Sequence, residues 1–359
     1  MLFKLLYLFH TKISFLNVFR YITFRTIVSA LTSLIIFLLL GDKVIEFLKK
    51  KQIGQPIQED GPSNHKSKQG TPTMGGVFII LTILFSTLLW ADPLNPYILI
   101  CLGILVSFGA IGFIDDYLKV KRKENKGLSG KQKFSLQAVA AISFSLLIFH
   151  TDGFDYHLYV PFFKNIHPDL GIFYIVFMCF VIVASSNAVN LTDGLDGLAT
   201  GPLIIAFGCY LIFSYVAGHK IISSYLHIPH IRHSGELTVL CGSIIGACLG
   251  FLWYNAYPAE VFMGDVGSLS LGAILGTIAI IVKQELLLLI IGGLFVIETI
   301  SVIFQVLYFK ITGGKRMFKM APIHHHFELK GWPEPKIIVR FWIISIILAL
   351  LGLSTLKIR

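Results

Sequence analysis

Ten apolar runs, most of them long enough to cross a lipid bilayer, dominate this sequence of 359 residues. A hydrocarbon core of about 30 Å requires roughly 20 apolar residues in one helix, so each run predicts a membrane-spanning helix. Only 14% of the residues are charged, whereas about a quarter are charged in soluble domains. We therefore expect an all-α polytopic integral membrane protein in which residues 1–359 form a single transmembrane domain. The ten predicted spans are 22–40, 74–91, 97–114, 134–150, 170–189, 197–217, 237–254, 267–282, 286–309 and 337–356.

Lysine and arginine are unevenly distributed between the two sides of this arrangement. The loops 41–73, 115–133 and 310–336 carry 19 of them, and the segments on the opposite side carry nine. Positive residues concentrate in cytoplasmic loops, so the sequence predicts that these three loops are cytoplasmic and that both termini lie outside. The net charge of +10 is then mainly an orientation signal. No basic patch is interleaved with base-stacking aromatic residues, so we expect no nucleic-acid partner.

Two adjacent carboxylates, Asp115 and Asp116, follow the third predicted span directly. Acidic residues beside a membrane span are costly and usually have a function. Two like charges side by side either raise the pKa of one group or recruit a cation, which favours a general base or a Mg²⁺ ligand. A solvated helix end is the alternative interpretation. Lys119 and the neighbouring cations would offset the joint negative charge.

Amides and carboxylates recur at every third position near residue 190, as Asn187, Asn190, Asp193 and Asp196. Any helical turn in this segment would gather several of them on one face. The intervening glycines allow another group to approach the backbone closely. The spacing predicts a polar binding surface in the loop after the fifth span.

Residues 262–268 open the eighth predicted span and contain Asp265 between glycines. Backbone N–H groups and the helix dipole favour phosphate at a helix N-terminus, and a carboxylate beside phosphate invites a bridging Mg²⁺. A simple helix cap would look similar. Before the second span, Lys68 and Thr73 are candidates to hold a phosphate or a base, although these residues are also consistent with an ordinary helix start.

Three consecutive histidines, His324, His325 and His326, follow the ninth span. They cannot all point in one direction, so at most two can serve the same ligand. The cytoplasmic side lacks a cysteine to complete a soft zinc site, so donation to phosphate or sugar oxygens fits better. Within the ninth span, Glu298 and Gln305 lie seven residues apart on one helix face. They are as consistent with interhelical hydrogen bonds as with catalysis.

These motifs in combination resemble the polyprenyl-phosphate N-acetylhexosamine-1-phosphate transferases. Residues 71–76 and the Phe-Glu-Leu-Lys-Gly-Trp run after the histidines resemble the bacterial cell-wall branch of that family. The resemblance covers nearly the whole chain. It implies Mg²⁺-dependent transfer of phospho-N-acetylmuramoyl-pentapeptide from UDP to undecaprenyl phosphate, which gives lipid I and UMP. It also implies about ten helices, a cytoplasmic cleft, a homodimer and a location in the bacterial inner membrane.

The resemblance further implies roles for individual residues. Asp265 and Asp116 are expected to bind Mg²⁺, and Asp115 or Asp116 to act on the lipid phosphate. Phe262 is expected to stack on uracil, and the histidine segment to face the sugar-phosphate end. The residues expected to bind substrate are Lys68, Thr73, Lys119, Asn190, Asp193, Asp196, Asn255, Phe262, His324, His325 and His326.

Two other functions are compatible with parts of this sequence. A sister-branch enzyme would add another N-acetylhexosamine phosphate to the lipid, but the triple histidine argues against it. A polytopic transporter would place its ionisable residues near the middle of the membrane, whereas here they collect in loops on one side.

Overall fold

The computed structural model describes residues 1–51, 70–122, 127–163 and 166–357. In these ranges the chain is almost entirely helical, with one 3₁₀ helix at Ser14–Arg20 and one isolated β-bridge between His157 and Asp169. The α-helices are α1 (Leu2–Leu8), α2 (Ile22–Lys50), α3 (Gly76–Trp90), α4 (Pro96–Arg122), α5 (Gly130–Phe149), α6 (Phe173–Thr192), α7 (Thr200–Gly218), α8 (Lys220–Tyr225), α9 (Gly235–Asn255), α10 (Gly264–Ile281), α11 (Leu288–Ile291), α12 (Gly293–Ile311), α13 (Ile323–Glu328) and α14 (Glu334–Ser354).

Within the described residues, nine helices have the length and composition to cross a membrane: α2, α4, α5, α6, α7, α9, α10, α12 and α14. The prediction of an all-α polytopic membrane protein is confirmed. The second predicted span, 74–91, is the short one: α3 has 15 residues, which is about 22 Å of helix against a core of about 30 Å. From the sequence, the fourth and eighth spans are the weakest predictions because they are short and rich in small residues, yet α5 and α10 both qualify as spans.

Helix α10 lies in the interior of the bundle, and every residue from 266 to 281 is buried. Glycines let its neighbours approach closely. A Cβ at Gly112 of α4 would collide with the backbone of Asp265, and a Cβ at Gly76 of α3 would collide with the backbone of Gly267. Lipid provides no hydrophobic force between helices, so helices in membranes associate through close van der Waals packing. Small residues at the contact make that close approach possible. This packing brings the polar ends of α4 and α10 together.

Candidate active site

Three carboxylates from two helices form one acidic cluster. Asp115 and Asp116 belong to the C-terminal part of α4, and Asp265 is the second residue of α10. One oxygen from each lies within 4.8 Å of the others. Backbone groups hold two of them, because Leu128 N donates to Asp115 Oδ1 at 2.7 Å and Val266 N donates to Asp116 Oδ2 at 3.2 Å. The three aspartates that the sequence singled out therefore meet at one point.

Two lysines neutralise much of this negative charge. Lys119 Nζ lies 2.6 Å from Asp115, 2.9 Å from Asp265 and 3.5 Å from Asp116. Lys133 Nζ lies 2.7 Å from Asp265 and 3.7 Å from Asp115. An ammonium group thus occupies the position between the carboxylates where another cation would be attracted.

Sequence reasoning missed Lys133, which is one of seven cations in the loop 115–133. A usable signal was present in the sequence, because the Ser129–Gln132 spacing is typical of a capping box. The structure forms that capping box at the start of α5. The box fixes the helix start and places Lys133 at its first turn, on the side of the acidic cluster.

Asn190 joins α6 to the same cluster. Its Nδ2 donates to Asp265 Oδ1 at 2.7 Å and to Ser268 Oγ at 2.8 Å. Asn187 points elsewhere and donates to Gln137 of α5 at 2.8 Å. Positions three apart drift by roughly 60° around a helix, so the polar string does not stay on one face. Asn190 reaches the acidic cluster, and Asn187 packs between helices.

The loop after α6 places two further carboxylates near the cluster. Asp193 is the C-cap of α6, and its pKa is raised to about 7 by desolvation and by the negative charges of Asp265, Asp116 and Asp196. Asp196 is buried and its Oδ2 accepts from Ala259 N at 2.9 Å. The loop 193–197 is therefore tied to the segment that precedes α10.

Asn255 lies behind this loop, and both ends of its side-chain amide form hydrogen bonds. Its Oδ1 accepts from Gly197 N at 3.0 Å and from Thr200 Oγ1 at 3.2 Å, and its Nδ2 donates to Val261 O at 2.9 Å. The side chain is buried. These bonds make Asn255 a brace for the loop 193–197.

The segment 70–76 runs beside the segment 261–264. Phe262 N donates to Pro72 O at 2.8 Å, and Gly75 N donates to Phe262 O at 2.9 Å. Gly264 has a φ of +73°, and a Cβ there would stand 2.5 Å from Asp116 Oδ2 and 3.1 Å from Thr73 Oγ1. Thr73 is therefore buried next to the cluster, and Phe262 is half-buried in the segment that leads to Asp265. Lys68 lies outside the described residues.

The three histidines point to three different partners, as their consecutive positions predict. His324 is fully buried, whereas His325 and His326 are partly exposed. A Cβ at Gly194 would collide with Nε2 of His324, so that imidazole packs directly against the loop 193–197. The Nδ1 partners are the Glu298 carboxylate at 3.1 Å, the Glu328 carboxylate at 2.6 Å and the N–H of Lys319 at 3.1 Å for His324, His325 and His326 respectively.

The chain is similar to known transferases over its whole length. Residues 97–283, which include the acidic cluster, match the model of glycosyl transferase family 4, and residues 68–80 match signature 1 of the phospho-N-acetylmuramoyl-pentapeptide-transferases. Relatives with that name from Desulfosudis oleivorans and Desulforapulum autotrophicum are each 62% identical to the chain over 359 residues, and one from Syntrophus aciditrophicus is 57% identical. Each alignment covers the whole of both chains.

The chain belongs to the phospho-N-acetylmuramoyl-pentapeptide-transferase family. It is a membrane-spanning transferase. The family predicted from the motifs is confirmed. Neither the sister-branch enzyme nor the transporter is favoured by these comparisons.

Proposed function

We propose that this chain transfers phospho-N-acetylmuramoyl-pentapeptide from its UDP-linked donor to undecaprenyl phosphate, which gives lipid I and UMP. The cluster of Asp115, Asp116 and Asp265 carries the proposal, because it gathers charge for phosphoryl transfer at the end of two membrane helices. The full-length likeness to relatives with that name supports the donor and the acceptor. The reaction would take place on the cytoplasmic side of a bacterial inner membrane.

The acidic cluster fits a magnesium ion. Its donors are carboxylate oxygens, which are the hard ligands that Mg²⁺ prefers, and Lys119 already places a cation among all three. Asp265 and Asp116 would hold the ion, with Asp115 beside them. When bound, Mg²⁺ supplies positive charge for the pyrophosphate oxygens.

The paired aspartates would act on the lipid phosphate. Asp115 has one oxygen fixed by Leu128 N and the other beside Lys119, so its orientation is set before substrate arrives. We propose that it accepts the last proton of the lipid phosphate or orients that group. A phosphate oxygen then forms a bond to the sugar-linked phosphorus, the bond to the bridging oxygen breaks, and UMP leaves. Lys119 and Lys133 would stabilise charge on the phosphates.

The surrounding residues would form the donor pocket. Phe262 is half-buried three residues before Asp265 and would offer a ring for uracil. Thr73, Asn190, Asp193, Asp196 and Asn255 would line the same region, and Lys68 is expected to join them. The segment His324–His326 would face the sugar-phosphate end.

Three further features of the proposal concern the whole molecule. Residues 1–359 would form one transferase domain with both termini outside, since the loop charges favour that orientation. The enzyme would work as a homodimer in the bilayer.

The test combines purified protein, undecaprenyl phosphate, Mg²⁺ and UDP-N-acetylmuramoyl-pentapeptide with a labelled uridine. Release of labelled UMP that depends on the lipid is expected. A parallel reaction with UDP-N-acetylglucosamine is the control for the sister-branch activity. Turnover of that donor alone, or transport without any chemical turnover, would contradict the proposal.

A further inference from the structure

A carboxylate and an imidazole form a buried pair next to the candidate site. Glu298 lies in the membrane-spanning helix α12 and His324 in α13, and both side chains are fully buried. Nδ1 of His324 lies 3.1 Å from Oε2 of Glu298. An ionisable residue inside a membrane span is costly, so it usually serves a function.

The second nitrogen of His324 faces the loop that carries Asp193 and Asp196. Within the described residues, its Nε2 is buried and has no hydrogen-bond partner. A Cβ at Gly194 would run into this nitrogen, and Gly194 itself is exposed. A buried polar nitrogen without a partner is costly, and beside a loop of candidate substrate-binding residues it marks a place for a ligand.

Glu298 is not needed to attach the histidine segment to α12. Gln305, two turns further along α12, already attaches the segment, because its Oε1 accepts from Phe318 N at 2.9 Å and its Nε2 donates to Phe318 O at 3.1 Å. Within the described residues, Oε1 of Glu298 has no hydrogen-bond partner. A carboxylate that served only as an anchor would be expected to use both oxygens, as Gln305 uses both ends of its amide.

We propose that Glu298 is a positioning residue that fixes the orientation of the His324 ring. With Nδ1–H held by the carboxylate, Nε2 is the atom directed towards the substrate. The negative charge of Glu298 also balances an imidazolium, whose Nε2–H donates to a phosphate oxygen of the sugar diphosphate. This inference rests on the proposed function for the identity of the substrate.

The test compares Glu298→Ala, Glu298→Gln, His324→Ala and the double variant Glu298→Ala/His324→Ala in the full chain. Glu298→Ala is expected to lower kcat by about tenfold or more, with the KM for the UDP-linked donor within about twofold. Glu298→Gln keeps an acceptor for Nδ1–H and is expected to recover part of that loss. Two residues that act as one unit are not additive, so the double variant should be no slower than His324→Ala.

A matched control separates orientation from packing of α12. Thr299→Val removes a hydroxyl that donates to Phe295 O within the helix, next to Glu298, and should leave kcat unchanged. Gly194→Ala is the complementary variant, since it displaces the imidazole while Glu298 stays in place. It should lower kcat even if Glu298→Ala fails to fold. Additive losses in the double variant, or a normal kcat for Glu298→Ala, would overturn the inference.

A readout that needs no turnover makes the test independent of the donor. In ¹⁵N-histidine-labelled protein, the His324 signal, assigned by its loss in His324→Ala, should show a protonated Nδ1 and should change in Glu298→Ala. An Nδ1 without a proton in the unsubstituted chain would overturn the inference. If the protein uses only UDP-N-acetylglucosamine, the proposed function fails, and the same variants with that donor still decide the role of Glu298.

Discussion

Lys133 of α5 places its Nζ 2.7 Å from Oδ2 of Asp265, although 132 residues separate them in the chain. Lys119 Nζ lies 2.9 Å from the same oxygen. Asp265 is one of the two residues proposed to hold Mg²⁺. The ammonium groups and a bound metal ion would therefore compete for one carboxylate, and the balance between them would set how tightly the ion is held.

Lys133→Met should change the response to magnesium. Removing one nearby positive charge makes the cluster more negative, so the Mg²⁺ concentration for half-maximal rate should fall by about threefold or more. The maximal rate should also fall, because one phosphate-stabilising charge is lost. Magnesium titrations of the transfer rate measure both effects. Lys131→Met, which removes an exposed cation from the same turn, should leave both values unchanged. If Lys133→Met needs a higher Mg²⁺ concentration for half-maximal rate than the unsubstituted chain, lysine and magnesium do not compete for Asp265.

Asp265→Asn keeps the shape of the side chain and removes its charge. The variant should lose at least about a hundredfold in rate, as expected when a preorganised charge is removed from a catalytic site. Initial rates at saturating substrate and Mg²⁺ measure the loss. Asp152→Asn changes an exposed carboxylate and is the control. Turnover near that of the unsubstituted chain would show that the cation is held elsewhere.

A chelator should abolish activity, and the added metal should determine its return. Mg²⁺ or Mn²⁺ should restore the rate because the cluster offers three carboxylate oxygens, whereas Zn²⁺ should not, since it favours nitrogen and sulfur ligands. Rates measured after EDTA treatment and re-addition of each ion decide the matter. Restoration by Zn²⁺ alone would contradict a magnesium site of carboxylates and would favour the histidines as metal ligands.

The sequence identifies the reactive residues of the site better than it predicts which residues contact one another there. Asp115, Asp116 and Asp265 are recognisable because each breaks an apolar run beside glycine or another acid, and such breaks are costly in a membrane. Lys133 looks ordinary in the sequence, since its role depends on which residues of other helices lie opposite it. The pairing of Glu298 with His324 depends on how α13 folds back on α12, which helical periodicity does not encode.

The length of α3 illustrates the same limit. Residues 74–91 are mostly apolar and carry no charged side chain, so hydropathy predicts a full span. The segment before Gly76 instead hydrogen-bonds to residues 262 and 263, and non-helical backbone is tolerated at that depth when protein surrounds it. Apolar composition predicts burial but does not decide whether the backbone bonds to itself or to a neighbouring segment.

Asp193 should make the stability of the metal-free protein depend on pH. Its pKa is raised to about 7 in the folded chain, from an ordinary value of about 4. Between these values the unfolded chain has released a proton that the folded chain still holds, so this group stabilises the fold at low pH and the contribution is lost as pH rises through 7. Asn does not titrate. The Tm of Asp193→Asn minus the Tm of the unsubstituted chain should therefore be about 2 °C or more higher at pH 8 than at pH 5.

Thermal unfolding in EDTA at several pH values measures this difference. EDTA is needed because a bound divalent cation would itself stabilise the charged form of Asp193. Asp169→Asn, which changes an exposed carboxylate in the loop before α6, is the control. Parallel Tm curves for Asp193→Asn and the unsubstituted chain would show that Asp193 titrates in its ordinary range.

Asp115→Asn tests whether the lipid phosphate attacks directly. A phosphate monoester has a second pKa of about 6, so near neutral pH a general base supplies only the last proton. The variant should therefore lose rate most strongly at low pH and recover partly as pH rises through the pKa of the lipid phosphate. An attacking carboxylate would instead form an acyl-phosphate, and its loss would be equally severe at every pH.

The pH profile of UMP release, measured for Asp115→Asn and for the unsubstituted chain, separates these routes. Asp115→Glu keeps the base with a longer side chain and should retain the shape of the unsubstituted profile at a lower rate. Direct attack requires the lipid in every turnover, because its phosphate oxygen forms the new bond. Release of UMP without undecaprenyl phosphate, together with a phosphate label trapped on Asp115 or Asp116, would instead establish a phospho-enzyme. The fixed orientation of Asp115 between Leu128 N and Lys119 favours the direct route, since both of its oxygens are already engaged as acceptors.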